Sequence, residues 1–387
     1  MSDRIAIAGV GQTVYRRCHQ DKNTAELVRE AVTGALEDAD IGLDGIDLIV
    51  GGAAPDALCG IYNIDLMSIS RPGIPYFRVN TGGATGSSAV LAGMTWIAAG
   101  RAKAVLVVAV ERMGHATTAQ SIFNSIFDPI YEKDISMSTI SMVALRATML
   151  MQKYGFTSDH WAGLAARNSA ASVLNDTIEK PRHFTKNDVS ASGILAWPIH
   201  RLEACPTSEG ACAVVLMADP QVGARNAAWV HGTGALSDTY AMGDRFHRPE
   251  GSLVNLVTLE KSAAKAYREA GITNPLAELD MVEIQAPFAS SEIMAYLALG
   301  LCGESDAVAF TERAIAETAD IAIQPSGGPQ ACNPISATAL IRITEAALQV
   351  RGKAGRRQID GVRKTMSTGQ GGATQFSTAV VLGKQRP

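Results

Sequence analysis

The side chains of this chain that could do chemistry are few and dispersed. Six cysteines stand at positions 18, 59, 205, 212, 302 and 332 without a CxxC pair, and seven histidines show no HxxxH or HExxH spacing. Zinc needs three or four such ligands brought together, so no metal site is expected. The most informative stretch lacks a reactive group. In VNTGGATGSSAV, residues 79–90, the short apolar strand YFRV runs into two glycines and small hydroxylated residues. The apolar helix AVLAGMTWIAAG follows. This is the architecture of a nucleophile loop, yet Gly83 stands where a Cys or Ser would be placed.

Other candidates have weaker signals. Cys332 precedes Asn333 at the start of a helix-like run, where a helix N-terminus would lower a thiol pKa; the alternative is a buried, inert thiol. Cys205, before Pro206, and Cys302, in LALGLCGE, read as core. His247 lies in GDRFHRPEG with Arg245 and Arg248, which reads either as a phosphate-contacting loop or as a solvated one. His200, in WPIHRLEACP, is expected in a helical lobe. No histidine has a carboxylate at a spacing that signals a triad. GVGQT (9–13) is too short for a dinucleotide fingerprint.

Strands alternate with helical patterns, which argues for an α/β fold. The order then repeats. ELVREAVTGALEDADIGLDGIDLIVGG is echoed by KSAAKAYREAGITNPLAELDMVEIQAP, each a helix, a punctuation and a strand. FRVNTGGATGSSAVLAGMTWIAAG is echoed by IAIQPSGGPQACNPISATALIRITEAAL, each a strand, a Gly-rich turn and a small-residue helix. Small side chains permit close packing, so these two helices are expected to pack on each other. Two halves are expected, 1–232 and 233–387, with an inserted, mostly helical lobe at about 117–200. Its Met, Phe and Ile residues suit a substrate tunnel or ordinary core.

With 387 residues, 47% of them hydrophobic, the chain can bury a large core. A net charge of −4 and the absence of Lys/Arg clusters with aromatics argue against nucleic acid. No run of about 20 uncharged apolar residues is present. The N-terminus lacks signal-peptide features and the cysteines are scattered, so a cytoplasmic location is expected.

The chain resembles the thiolase superfamily, in the branch similar to sterol-carrier-type thiolases. VNTGGATGSSAV is similar to V-N-x-x-C-[AS]-[ST]-G. VERMG (110–114) and CPTSEGACAVVL (205–216) resemble G-x-E-x-M and C-P-x-S-D-G-A-A-A-V-V-L. QPSGGPQACNPISAT (324–338) resembles N-x-S-G-G-x-x-x-G-H-P-x-G-A-T, and STGQGGATQFSTAVVL (367–382) the C-terminal Gly-rich loop. The resemblance covers essentially the whole chain. It implies the thiolase fold, two βαβ-type halves in five α-β-α-β-α layers with an inserted helical loop domain. It also implies Claisen chemistry on coenzyme A thioesters, with no covalently bound cofactor.

The resemblance places the reactive positions at Gly83 for the Cys, Asn333 for the His, Gln285 for the Asn or His, and Ser367 for the C-terminal acid/base. None of these residues titrates usefully at neutral pH. It gives Cys332 a position held by a packed glycine, and puts His115 near the opening of the site. What remains is an oxyanion pocket from backbone amides near Gly83 and Gly369, with Asn333 and Gln285 either donating to a thioester oxygen or acting as fillers. Three readings follow. The chain is a non-catalytic or substrate-shaping subunit, in a homodimer or in a heteromer with an intact thiolase chain or a small zinc/OB-fold protein. Or it is a Cys-independent acyl-CoA lyase of the retro-aldol type, for which Tyr296 is a distant base. Or it is an acyl-CoA or lipid binder.

Overall fold

The computed structural model describes residues 5–53, 58, 73–116, 119–132, 138–219, 226–247 and 253–387. Cys59 and Arg248 lie outside these residues, as does the side chain of His247.

In the first half, strand β1 (Ile5–Gln12) leads to helix α1 (Thr24–Ala39), which begins with a capping box between Asn23 and Glu26. Strands β2 (Leu48–Gly52) and β3 (Tyr76–Val79) follow. Helix α2 (Thr85–Ala98) and strand β4 (Ala104–Arg112) come next. The lobe contains helices α3 (Thr139–Tyr154) and α4 (Ser158–Ser172) and a small hairpin, β5 (Ile194–Ala196) with β6 (Ile199–His200). Strand β7 (Glu209–Ala218) returns to the sheet. The second half runs β8 (Ala228–Ser237), α5 (Val257–Ala270), β9 (Met281–Glu283), α6 (Ala289–Ala298), α7 (Ala307–Ile315) and β10 (Ala322–Ile323). It ends with α8 (Thr338–Arg351), β11 (Lys364–Gly371) and β12 (Phe376–Gly383).

The strand order is β3-β2-β4-β7-β1 followed by β8-β12-β11-β9-β10. Read outward from the centre, the two runs match in order and in direction. β1 and β4 are antiparallel to β7, as β8 and β11 are to β12; β2 is parallel to β4 and β3, as β9 is to β11 and β10. Among the described residues the runs meet through two residue pairs, Ala6 with Trp229 and Ile7 with Ala228. Residues 232 and 233, at the expected division between the halves, lie inside β8, which pairs with β12 along its length.

Three apolar cores give the layers. Leu27, Val28, Ala31 and Ala35 of α1 pack on Leu106, Val108 and Val215. Between the halves, Ala89 and Val90 of α2 meet Leu340 and Ile343 of α8. Beyond the second half, α5 and α6 pack with the lobe through Leu259, Ile293, Leu150 and Trp161. The expected packing of the two small-residue helices is present at its tightest at Gly86, where a Cβ would lie 2.6 Å from Leu340 Cβ.

Candidate functional site

A cavity of about 180 Å³ opens between the two Gly-rich loops and the lobe. Its floor is Gly82, Gly83, Gln285, Asn333, Gln370 and Gly372, and its lobe wall includes Ile122, Phe123, Ile126, Met142 and Val143. Pro287, Phe288 and Met294 close the side above α6. Part of the lobe wall is one face of α3, whose Thr139, Met142, Val143 and Arg146 recur at helical spacing.

The floor is made by backbone meeting backbone. Gly82 (φ 60) and Gly372 (φ 63) take left-handed conformations. A Cβ on Gly82 would come within 2.9 Å of the Gly372 nitrogen, and one on Gly371 would overlap the Thr81 carbonyl. The same contact governs position 83. A Cβ there would overlap the Gln370 carbonyl oxygen and lie 2.5 Å from Gln285 Nε2. The space a nucleophile's side chain needs is taken by protein.

Gln285 and the Gln370 carbonyl fill it together. Gln285 Nε2 donates to the Gly83 carbonyl (2.9 Å), its Oε1 accepts from the Gln370 amide (2.8 Å), and its own amide donates to Thr368 Oγ1 (3.0 Å). Its side-chain amide thus bridges the two loops while also lining the cavity. Asn333 is held by its amide, which donates to Ser208 Oγ, and by Nδ2, which donates to Cys205 Sγ (3.1 Å). Its Oδ1 is buried without a partner. Burial pushes the Cys205 thiol up to about 11, so this half-buried sulfur serves as an acceptor, not a nucleophile.

The other expected site residues are elsewhere. Ser367 and Gly369 lie in β11 opposite Val380 and Thr378, outside the cavity lining. Ser367 Oγ is buried and unpartnered. A Cβ on Gly369 would overlap Ser87 Oγ and Thr378 Oγ1, so that glycine serves packing. Cys332 is buried, its thiol pushed up to about 12 by burial, and it is the inert thiol of the two alternatives.

His115 does not reach the cavity. It ends the turn after β4, and its Nδ1 lies 2.6 Å from Glu209 Oε1 and 3.6 Å from Cys18 Sγ. The register of β4 against β7 pairs Arg112 with Glu209, which brings a carboxylate to this histidine from 94 residues away. Sequence spacing therefore missed a His–carboxylate pair. Cys18, His115 and Glu209 place their donor atoms within 4.8 Å of one another, although no metal site was expected. Arg112 Nη2 lies 3.0 Å from His115 Nε2 and brings positive charge into the same cluster.

His200, in β6, pairs with Glu203 at 3.2 Å. Arg245, expected in a solvated or phosphate-binding loop, is buried and donates to the Ala373 carbonyl (2.6 Å) and Thr374 Oγ1 (2.9 Å). Tyr296 is fully buried against Glu292 and Arg167, and burial raises its hydroxyl well above the usual value, so it is no base for this cavity.

Two lining residues had not been singled out. Gln370 Nε2 and Arg146 Nε are buried without a partner. Together with Asn333 Oδ1, three unpartnered polar atoms belong to residues lining one apolar space. Among the described lining residues there is no Cys, His, Asp, Glu, Lys or Tyr.

No helix among the described residues is long and apolar enough to cross a membrane. A family model described as "Thiolase, N-terminal domain" matches residues 5–181, and one described as "Thiolase C-terminal domain-like" matches residues 246–384. Sterol carrier protein 2 of Gallus gallus is 29% identical over 395 residues, covering 96% of this chain and 71% of the relative. Acetyl-CoA acetyltransferase of Methanothermobacter thermautotrophicus is 28% identical over 380 residues, covering 95% and 96%. The solved structure of the Ltp2-ChsH2(DUF35) aldolase is similar with a TM-score of 0.83 at 21% identity, covering 100% of this chain and 99% of that one. A monomeric SCP2-thiolase like protein type 1 from Mycobacterium smegmatis gives a TM-score of 0.72 at 16% identity, covering 100% and 78%. At these identities the two structures speak to the fold alone. From both family matches and the repeated halves, the chain belongs to the thiolase superfamily.

Proposed function

We propose that this chain is a thiolase-fold subunit that binds an acyl-CoA thioester without forming an acyl-enzyme, and shapes the substrate for reactive groups supplied by a partner. One observation carries the reading. The cavity at the junction of the Gly-rich loops holds unpartnered buried polar atoms, which a bound ligand would satisfy, while its described lining carries hydroxyls (Ser125, Thr139, Ser291, Thr374) but no Cys, His, Asp, Glu, Lys or Tyr to serve as thiolate or proton carrier. Gly83, Asn333 and Ser367 are in this reading replacements of reactive residues, and Gln285 locks the replacement in place. An assembly is supported by the free outer edge of β3 among the described residues, where Phe77 is 45% exposed. The partner is an intact thiolase chain or a small zinc/OB-fold protein. The test is to titrate the full chain with butyryl-CoA by calorimetry and to assay thiolysis of acetoacetyl-CoA with and without the partner. Binding without turnover is expected, with activity appearing only beside a partner and vanishing when the partner's cysteine is replaced. Thiolysis by this chain alone overturns the reading.

A second reading is favoured by the likeness to a two-component aldolase. A retro-aldol cleavage needs an enolate held by donors such as Gln370 Nε2, and one base. Aldehyde release from a β-hydroxyacyl-CoA by this chain with a zinc/OB-fold partner, and not with an intact thiolase, would select it.

A further inference from the structure

Outside the cavity, three segments remote in sequence meet at Glu209. Strand β7 begins there, and Glu209 pairs with Arg112 at the end of β4. The loop after β1 crosses the same point, where Arg16 exchanges both backbone hydrogen bonds with Glu209 (2.7 and 3.2 Å). The β1 loop thus brings Cys18, and the turn after β4 brings His115, to one carboxylate. Gly114 permits the approach. A Cβ there would overlap the Arg17 carbonyl and lie 2.9 Å from Glu209 Oε1 and 3.0 Å from Cys18 Cβ.

The two carboxylate oxygens have different surroundings. Oε2 accepts from the His19 amide (2.7 Å) and lies 3.6 Å from Arg112 Nε. Oε1 faces His115 Nδ1 (2.6 Å), and Cys18 Sγ lies 3.6 Å from the same nitrogen. A hydrogen bond between His115 and Glu209 accounts for two of these groups and leaves the thiol unexplained. The Sγ–Nδ1 spacing is that of two ligands on one tetrahedral zinc, about 3.5 Å for bonds of roughly 2.3 and 2.0 Å. The Nδ1–Oε1 spacing is that of a hydrogen bond, and it widens when an ion replaces the proton between the two atoms. The His115 side chain is 47% exposed, so the ring has room to turn. Glu209 is fully buried with Oε2 already anchored, the kind of outer contact that orients a metal ligand.

We propose that Cys18, His115 and Glu209 form a site for a zinc-class divalent ion, with water in a fourth position on the solvent side. Thiolate, imidazole and carboxylate are a zinc donor set, whereas magnesium and calcium ask for oxygen ligands. Charge selects the same three groups. Arg112 Nη2, 3.0 Å from His115 Nε2, repels a cation whose ligands do not neutralise it. A thiolate and a carboxylate supply the two negative charges that a divalent ion needs, and Cys18 gives its proton to solvent on binding. The ion ties the β1 loop to the ends of β4 and β7. None of the three ligands lines the cavity, so the site is independent of the acyl-thioester reading.

The experiment uses the full-length chain, stripped with chelator, as wild type, Cys18→Ser and His115→Ala, with Co²⁺ as spectroscopic probe and Zn²⁺ as competitor. The wild type is expected to bind Co²⁺ with a thiolate-to-cobalt charge-transfer band, and to lose that band to Zn²⁺. Cys18→Ser is expected to lack the band. Both variants are expected to weaken Zn²⁺ by more than the roughly 10–100-fold that loss of an outer contact costs. Zn²⁺ is also expected to raise the melting temperature of the wild type and of neither variant. A wild type without the band overturns the inference, as does a band that survives in Cys18→Ser, which assigns the metal to another cysteine. Unchanged Zn²⁺ affinity in His115→Ala overturns the three-ligand site. If a variant does not fold, alkylation of wild-type Cys18 by iodoacetamide, read by peptide mass spectrometry, decides the matter. Zn²⁺ is expected to slow it, and an unchanged rate overturns the proposal.

Discussion

The two halves of the sheet share one strand order, yet they secure their equivalent Gly-rich turns by opposite means. After β3, the turn at Gly82–Gly83 is held by backbone pressed against backbone, with Gln285 as a neutral strut. After β10, the turn at Ser326–Gly328 is held by buried charge. Glu283 accepts from Arg342 (2.5 Å) and from the Ser326 hydroxyl (3.0 Å), and Arg342 also reaches Ser326 Oγ (2.7 Å). The difference separates what the topology demands from what it leaves open. Both turns must redirect a strand into a central helix. How each is fixed depends on the neighbour: another glycine loop in the first half, a strand-end carboxylate in the second.

Substitutions can set the two devices against each other. The largest effect is expected from Arg342→Met, which strands Glu283 and should cost about 3–5 kcal/mol in urea unfolding. Pairing it with Glu283→Leu should recover most of that loss. If the single variant is nearly silent, the second turn is not held by charge. Next is Gly371→Ala, whose Cβ would overlap the Thr81 carbonyl. Forcing the loops apart should cost about 1–3 kcal/mol, and Gly83→Ala should behave alike. Combining Gly83→Ala with Gln285→Ala should give little rescue, because the Gln370 carbonyl remains. Full rescue would show that the strut alone, and not the backbone, closes position 83. Gln285→Ala by itself leaves the Gly83 carbonyl and the Gln370 amide unpaired, at about 1 kcal/mol or somewhat more. The smallest effect concerns Glu203, a buried carboxylate with no guanidinium partner among the described residues. Burial pushes Glu203 up to about 8, although the His200 amide donates to it. The folded state thus binds a proton more tightly than the unfolded one, so this group's stabilisation is complete below about pH 4.5 and is lost as pH rises through 8. Glu203→Gln should flatten the melting temperature over that window, and an unchanged slope would assign the dependence elsewhere.

The repeat was legible because the paired stretches carry the same order of apolar runs and glycines, and identical strand order followed. The packing of α2 on α8 was legible from their small residues. Gly83, Gln285 and Asn333 were found from their loops and do line one cavity. Ser367 and Gly369 were misplaced because neighbours along a strand alternate faces, and the lining passes instead to Gln370 and Gly372, where β11 ends. His115 was misplaced because its partner Glu209 comes from strand register, not from spacing. Arg146 went unnoticed because a charge in an amphipathic helix ordinarily faces water. Only the position of α3 over the Ala373–Thr374 turn shows that it does not.

The strut at Gln285 also fixes the order in which this protein can change. A thiol at position 83 has nowhere to go while Gln285 Nε2 and the Gln370 carbonyl hold their places. A Cys introduced there first meets a clash, whereas the same Cys introduced after the 285 side chain has shrunk and the 370 loop has shifted does not. Any route to a sulfur at this turn, by drift or by engineering, therefore starts in the second half of the chain. The substitutions are epistatic, and the early steps give up loop cohesion before any reactivity appears.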